Sequence, residues 1–193
     1  MCRNGLYTEH GIKERDGFAA QRFRMSPDFL VRVEPRLGRL GVLLEPTSVV
    51  AKAWEQIERI GARAQWRPQP VLVTGAGPIG LLAALLGVLR GLEVHVLDRV
   101  VDGPKPALVK ALGATYHTGT VEETCREVDI VLECTGVGRL VCDVMTHVAP
   151  SGIVCLTGVS TGGRTLSVDL GALNRELFFN PQLVGLVPLQ RGE

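Results

Sequence analysis

The residues best suited to chemistry form the spacing Gly75-x-Gly77-x-x-Gly80, directly after the short apolar run 71–73. This order is typical of the strand, tight turn and helix that bind the pyrophosphate of a dinucleotide. Gly75 would allow the turn, Gly77 would let the backbone approach the phosphates, and Gly80 would let the helix pack against the sheet. The helix would begin at Pro78, where a missing N–H costs nothing, and its N-terminus would attract the phosphates.

An acid follows the next apolar run. Asp98 ends residues 93–97, and a carboxylate there accepts a hydrogen bond from the adenosine ribose of NAD. Arg99 comes next, and its guanidinium could bind the 2′-phosphate of NADP or stack on adenine. We therefore expect the chain to bind both nucleotides with a small preference. The alternative is a doubly wound domain with another ligand, such as the adenosyl cofactor of a methyltransferase.

Short apolar runs alternate with helical patterns from residue 70 to residue 188. This alternation predicts an α/β fold, a doubly wound parallel Rossmann sheet with strand order 3-2-1-4-5-6 and helices on both faces. Ligands of such sheets bind beyond the carboxyl ends of the strands, where small residues follow several of the predicted strands. The predicted cofactor-binding residues are Gly75, Gly77, Pro78, Ile79, Gly80, Asp98, Arg99, Thr135, Gly136, Thr157, Gly158 and Val159.

The composition narrows the class of protein. Hydrophobic residues make up 46% and charged residues 21% of the chain, and the net charge is +1 with no basic run. We expect a globular cytoplasmic protein with no nucleic-acid partner and no membrane partner. No Cys-x-x-Cys pair is present, and we expect Cys134 and Cys155 to be small buried hydrophobic residues.

The sequence pattern predicts less regular secondary structure over residues 1–46 than over the rest of the chain. Two short strands, over 18–24 and 29–33, do not make a domain, so this segment is interpreted as part of a larger one. Residues 47–69 predict a linking element, with Thr47 as N-cap of an amphipathic helix over 48–60 and a polar linker after it. The Rossmann domain is expected over 70–188, and residues 189–193 are expected to form a tail.

Several motifs together resemble the zinc-containing medium-chain dehydrogenases, and among them the glucose 1-dehydrogenase branch. The resemblance covers residues 2–178 and rests on Thr8-Glu9-His10-Gly11-Ile12, Asp16-Gly17-Phe18, Leu43-Leu44-Glu45-Pro46 and the glycine motif. It implies that residues 1–46 are a remnant of a β-rich GroES-like catalytic domain. It also implies a truncated member or gene fragment, because the family's catalytic domain begins upstream of Met1 and ends in helices beyond Glu193.

The resemblance also implies roles for three residues. Cys2 matches the last of four cysteines that hold a structural zinc, and the other three are missing. Glu9 matches a carboxylate that contacts sugar hydroxyls, with an ordinary loop carboxylate as the alternative. Glu45 matches a carboxylate at the catalytic zinc and near the substrate, with a helix-start acid as the alternative. The cysteine and the His-Glu pair that complete the catalytic zinc site are missing, so we expect the isolated chain to be inactive.

The activity implied by the family is NAD(P)-dependent oxidation of a sugar or polyol, with an aldose converted at C1 to a lactone by zinc-assisted hydride transfer. The alternatives are a non-catalytic NAD(P)-binding module or another medium-chain branch, such as the polyol, threonine or quinone reductases. The run Gly185-Leu186-Val187-Pro188 lacks the asparagine of the glucose enzymes. The resemblance also implies a homo-dimer or homo-tetramer that pairs through the sixth strand, residues 183–187.

Overall fold

The computed structural model describes residues 6–63, 66–124, 127–159, 165–171 and 173–174, and the backbone of 183–185. The chain divides into two compact units. One, the N-terminal unit, comprises residues 1–44 together with 187–193, and the other, the α/β unit, comprises 45–186. The predicted domain limits at residues 46, 69 and 188 stay a prediction.

The α/β unit is built on a parallel sheet of six described strands in the order β5-β4-β3-β6-β7-β8. Taken along the chain, this is the order 3-2-1-4-5-6, so the predicted topology is confirmed. The strands are β3 (Pro70–Thr74), β4 (Glu93–Leu97), β5 (Thr115–His117), β6 (Val128–Glu133), β7 (Val148–Leu156) and β8 (Leu183–Gly185). The helices are α1 (Leu44–Gly61), α2 (Pro78–Leu89), α3 (Pro104–Ala111), α4 (Val121–Thr124) and α5 (Gly138–Met145).

The central strands are apolar on both faces, as a sheet covered by helices on both sides requires. In β3, Val71 and Val73 join one buried cluster, and Leu72 between them joins another on the opposite face. Helix α1 contributes Trp54 and Ile57 to the first cluster. The indole N–H of Trp54 donates to the carbonyl of Ala83 in α2 at 3.3 Å, so the N–H group of the largest buried side chain has a hydrogen-bond partner.

Two helices begin earlier than the sequence pattern predicts. Helix α1 begins at Leu44 rather than after Thr47, and α3 begins at Pro104 rather than at residue 107. The prolines that suggested loop, Pro46 and Pro104 among them, lie in the first turn of each helix. An N–H there has no partner within the helix, so proline is tolerated.

The N-terminal unit has little regular structure. A two-residue strand, β1 (Glu9–His10), pairs with β2 (Glu14–Arg15), and 3₁₀ turns cover Pro27–Phe29 and Pro35–Leu43. The predicted strands over 18–24 and 29–33 are wrong, because these residues pair with no strand in the part of the chain that the structure describes. The hydroxyl of Ser26 instead caps the turn that begins at Pro27. No side chain is buried among residues 6–44.

Two further findings concern segments outside the sheet. Residues 165–169 have no regular structure. Within the described part of the chain, no helix is both long enough and apolar enough to cross a membrane.

Candidate dinucleotide-binding site

The last residues of four neighbouring strands lie side by side. Thr74 of β3 is in register with Leu97 of β4 on one side and with Glu133 of β6 on the other, and Glu133 is in register with Leu156 of β7. The residues that follow these strands therefore share one edge of the sheet, which we call the carboxyl rim. The rim contains the glycine turn, Asp98 and the segments that begin at Thr135 and Thr157. The structure thus brings together residues that are far apart in the sequence.

The glycine turn has the geometry that its three glycines allow. Gly75 has φ +89°, a left-handed conformation that favours glycine, and its N–H donates to the carbonyl of Leu97 at 2.7 Å. A Cβ on Gly80 would lie 1.7 Å from the carbonyl oxygen of Gly75, so no side chain fits there. A Cβ on Gly77, in contrast, would meet no atom within 4 Å. The space beside Gly77 is open, as a backbone that receives a pyrophosphate requires, and Pro78 is the first residue of α2.

The carboxylate of Asp98 ties three segments of the rim together. Its Oδ2 accepts the N–H of Ala76 in the glycine turn at 2.7 Å and pairs with Nζ of Lys105 in α3 at 2.7 Å. Its Oδ1 accepts the N–H of Val100 at 3.0 Å, which closes the turn after β4. Burial raises the pKa of Asp98, but these hydrogen bonds and the charge of Lys105 outweigh it and hold the pKa below its ordinary value. Asp98 is therefore ionised at neutral pH.

Glu133 organises the other half of the rim and had not been predicted as a site residue. Its side chain is fully buried at the end of β6. Oε1 accepts the hydroxyl of Thr74 at 3.2 Å, the N–H of Thr135 at 2.7 Å and also the hydroxyl of Thr135. Both carboxylate oxygens accept the N–H of Gly136, at 3.2 and 3.1 Å. A buried acid requires such partners, so the acid that directly follows the apolar run 130–132 was the signal in the sequence.

The backbone of Glu133 positions the segment after β7. Its carbonyl accepts the N–H groups of Thr157 and Gly158, at 2.8 and 2.9 Å, and the hydroxyl of Thr157 at 2.8 Å. A Cβ on Gly158 would lie 2.1 Å from the nitrogen of Gly136, so the two turns pack too closely for a side chain. One residue thus fixes both predicted turns, 135–136 and 157–158.

The remaining predicted nucleotide-binding residues differ in exposure. Ile79, in the first turn of α2, is half-buried, whereas Arg99 is exposed beside Asp98. Val159 is 88% exposed just beyond the turn at Gly158. All three lie next to the rim in sequence, and their roles toward a nucleotide stay predictions.

The cysteines on the rim side of the sheet are not poised to react. Burial raises the pKa of both the Cys134 and the Cys155 thiol to about 12, and the Glu133 charge adds to this for Cys134. The Cys134 sulfur lies 3.1 Å from the hydroxyl oxygen of Thr157. Both residues therefore remain protonated at neutral pH and act as small packing residues.

The described residues do not fit a zinc ion. Among them, no three His, Cys, Asp or Glu side chains are grouped so that they could hold a metal. Glu9 is half-buried in β1 of the N-terminal unit, and Glu45 is exposed in the first turn of α1 in the α/β unit. Cys2 lies outside the described residues. The roles of these three residues toward zinc or sugar stay predictions.

The sheet order, the glycine turn at a helix N-terminus and the ionised acid after β4 define a class, the nucleotide-binding α/β domains of the Rossmann type. The profile of the family described as "Glucose dehydrogenase C-terminus" matches residues 38–191. The chain belongs to this family.

Curated relatives of this chain support the same family assignment. Glucose 1-dehydrogenase 2 of Vulcanisaeta moutnovskia is 40% identical over 186 residues, which cover 95% of this chain and 53% of the relative. The glucose 1-dehydrogenase of Methanocella arvoryzae is 38% identical over 193 residues, with the same two coverages. The chain thus spans about half the length of the curated relatives that it matches.

Solved structures give the same result. Haloferax mediterranei glucose dehydrogenase in complex with NADP, Zn and gluconolactone matches with a TM-score of 0.86 and 30% identity, over 97% of this chain and 55% of that one. Galactitol-1-phosphate dehydrogenase from Escherichia coli matches with a TM-score of 0.70 over 95% of this chain and 53% of that one. At 22% identity, the second match supports the fold alone.

Proposed function

We propose that the α/β unit binds a nicotinamide adenine dinucleotide, NAD or NADP, along the carboxyl rim. The observation that carries this proposal is the open glycine turn, with the free space beside Gly77 and the N-terminus of α2 behind it. The pyrophosphate would lie on this turn, the adenosine beside Asp98, and the nicotinamide over the turns that Glu133 holds. The bound cofactor supplies hydride transfer, and the protein's residues bind and orient it.

We propose further that the whole protein is a glucose (aldose) 1-dehydrogenase that oxidises the C1 hydroxyl of the sugar to a lactone. The support is the family, the glucose 1-dehydrogenase relatives and the Haloferax structure, which holds NADP, Zn and gluconolactone. On this proposal Glu9 contacts the sugar, and Glu45 lies near it. We propose that the 193-residue chain by itself binds the nucleotide without oxidising the sugar, since the described residues do not form a zinc site.

The N-terminal unit is proposed to be the remnant of a GroES-like catalytic domain. Its support is the absence of any buried side chain among residues 6–44, although this segment carries many apolar ones. A stretch with apolar residues and no core of its own is typical of part of a domain. The proposed homo-oligomer would form at β8, which pairs with β7 on one side and ends the described sheet. A cytoplasmic location also stays a proposal.

Two glycine variants test nucleotide binding. Gly77 has an extended backbone with φ −82° and ψ −177°, and an added Cβ would meet only open space, so Gly77→Ala should keep the wild-type melting temperature. The same Cβ would push against a pyrophosphate and lower the affinity for NADH, roughly tenfold if one charge-assisted hydrogen bond is lost. Titration of NADH fluorescence measures the affinity, and thermal unfolding measures the stability.

Gly80→Ala is the comparison variant, because here the added methyl group should lower the stability of the fold. Its Cβ would lie 1.7 Å from the Gly75 carbonyl, so the turn must shift and the unfolding free energy should fall by about 1–3 kcal/mol. Wild-type affinity in Gly77→Ala would contradict the placement of the pyrophosphate. A wild-type chain that binds neither NADH nor NADPH would contradict the proposed function as a whole.

A further inference from the structure

Lys105 stands in the first turn of α3 and had no role in the sequence prediction. Its Nζ lies 2.7 Å from Oδ2 of Asp98, the acid expected to contact the adenosine ribose. The Asp98 side chain is 7% exposed and the Lys105 side chain is 34% exposed. Lys105 is thus the more accessible member of the pair at the position where a ribose would arrive.

The hydrogen bonds of Asp98 leave it little capacity for a ligand. Its two oxygens already accept three donors, the N–H groups of Ala76 and Val100 and the ammonium of Lys105. A carboxylate has about four lone-pair positions, so about one remains for a ribose hydroxyl. The ammonium of Lys105, in contrast, has three protons, of which the pair with Asp98 uses one. Further donors are therefore available on the cation.

The pair also changes the charge that an adenosine ribose meets. An unpaired carboxylate at this position would repel the 2′-phosphate of NADP and favour the free 2′-hydroxyl of NAD. The carboxylate of Asp98 is neutralised by a cation in contact with it, and Arg99 adds a second exposed cation next along the chain. The electrostatic field at the ribose position therefore differs from the field that an unpaired carboxylate selective for NAD would produce.

We propose that Lys105 determines cofactor choice: its ion pair with Asp98 lets the site take a 2′-phosphorylated dinucleotide as well as NAD. The inference rests on the proposed dinucleotide site and adds a specificity-determining residue to it. Lys105 donates to the 2′-phosphate of NADP while it remains beside Asp98. With NAD bound, the remaining acceptor position of Asp98 takes the 2′-hydroxyl.

The test compares the 193-residue wild-type chain with Lys105→Gln, Lys105→Arg and Lys110→Gln. Lys110 is an exposed lysine in the last turn of the same helix, so its variant removes the same charge away from the rim. Dissociation constants are measured for NADH and NADPH by fluorescence. Competition by 5′-AMP and by adenosine 2′,5′-bisphosphate then isolates the contribution of the 2′-phosphate.

Lys105→Gln should lower the affinity for NADPH and for adenosine 2′,5′-bisphosphate by about tenfold or more. It should lower the affinity for NADH and for 5′-AMP by less than about threefold. Lys105→Arg should restore NADPH binding because it keeps the charge, and Lys110→Gln should bind as wild type does. These selective losses would not follow from a merely structural role, which would weaken all four ligands together.

Three outcomes overturn the inference. An equal loss for all four ligands in Lys105→Gln assigns Lys105 a structural role. An unchanged ratio of NADH to NADPH affinity removes Lys105 from cofactor choice, while the proposed dinucleotide site stands. If the wild-type chain binds none of the four ligands, the proposed function fails and this inference fails with it.

Discussion

Two buried acids hold the carboxyl rim, and each does so by accepting backbone N–H groups from loops. Asp98 fixes the glycine turn and the segment after β4. Glu133 fixes the segments after β6 and, through its carbonyl, after β7. Negative charge held by several donors is well stabilised in a protein interior, so these loops are set before any ligand arrives.

Glu133→Gln should damage one half of the rim. The glutamine would point an NH₂ donor at positions where Thr135 and Gly136 already present N–H donors, and one buried donor would lose its partner. We expect the unfolding free energy to fall by about 1–3 kcal/mol. Affinity for NADH should fall more than affinity for ADP, because the adenosine half of the site lies at the glycine turn and Asp98.

Isothermal titration with ADP and NADH, together with urea unfolding, measures these effects. Glu122→Gln, at an exposed position of α4, is the control and should leave both affinities unchanged. Equal weakening of ADP and NADH would show that Glu133 does not act selectively on the turns after β6 and β7.

Among the elements, the edge pair β4 and β5 differs from the rest of the sheet because it contains two histidines in contact. Nδ1 of His95 lies 2.9 Å from Nε2 of His117, and Nε2 of His95 lies 3.2 Å from Oε1 of Glu93. Burial, together with the neighbouring His95, lowers the pKa of His117 below its ordinary 6.5. Protonation is therefore unfavourable in the folded sheet and ordinary in the unfolded chain.

The sign of the pH dependence follows. Between the lowered folded pKa of His117 and 6.5, the unfolded chain binds more protons than the folded chain, so stability rises with pH. The contribution is complete above pH 6.5 and is lost as the pH falls through the folded pKa. In His117→Gln, which removes this group, the loss of stability from about pH 7.5 to about pH 5.5 should be smaller than in wild type.

Urea unfolding at several pH values in this range gives the two slopes. Identical slopes for wild type and His117→Gln would show that the His95–His117 contact does not couple the β4–β5 edge to pH. The variant keeps a polar side chain of similar reach, so a general collapse of the edge would appear as a loss of stability at every pH.

At the scale of the whole molecule, the two units differ in how they are stabilised. The α/β unit buries two apolar clusters, one on each face of its sheet. The described part of the N-terminal unit buries no side chain and leaves large apolar ones exposed, among them Leu6, Ile12 and Val31. Burial of apolar surface is the dominant favourable term in folding. Among the described residues, the stabilisation that comes from this burial therefore lies in the α/β unit.

The resemblance to the zinc-containing medium-chain dehydrogenases, whose catalytic cysteine and His-Glu pair have no match here, predicts that the 193-residue chain binds NADH or NADPH and fails to oxidise glucose when zinc is added. A catalytic zinc requires about three protein ligands, and the described residues form no such group. The test mixes the chain with glucose, NAD(P) and zinc and follows the formation of NAD(P)H by its long-wavelength absorbance. A fusion to the N-terminal half of a glucose 1-dehydrogenase relative is the positive control, and zinc-dependent turnover by the unfused chain would contradict the prediction.

Much of the fold follows from local sequence. Short apolar runs, glycines at turns and helical spacing between them predict the strand order and place the glycine turn, because parallel strands need crossover helices and right-handed connections. The helix starts at Leu44 and Pro104 were missed because proline suits both a loop and a first helical turn. The strands expected over 18–24 and 29–33 were wrong because a strand depends on a partner that the sequence does not specify.

The sequence by itself therefore determined the class of the domain, its strand order and the rim on which a nucleotide would lie. Only the tertiary structure decided which polar side chains face one another there. Lys105 reaches Asp98, and Glu133 reaches Thr74, through contacts that no local pattern encodes. Residue spacing sets backbone conformation, but the pairing of polar side chains depends on which of them the completed sheet brings within a few ångströms.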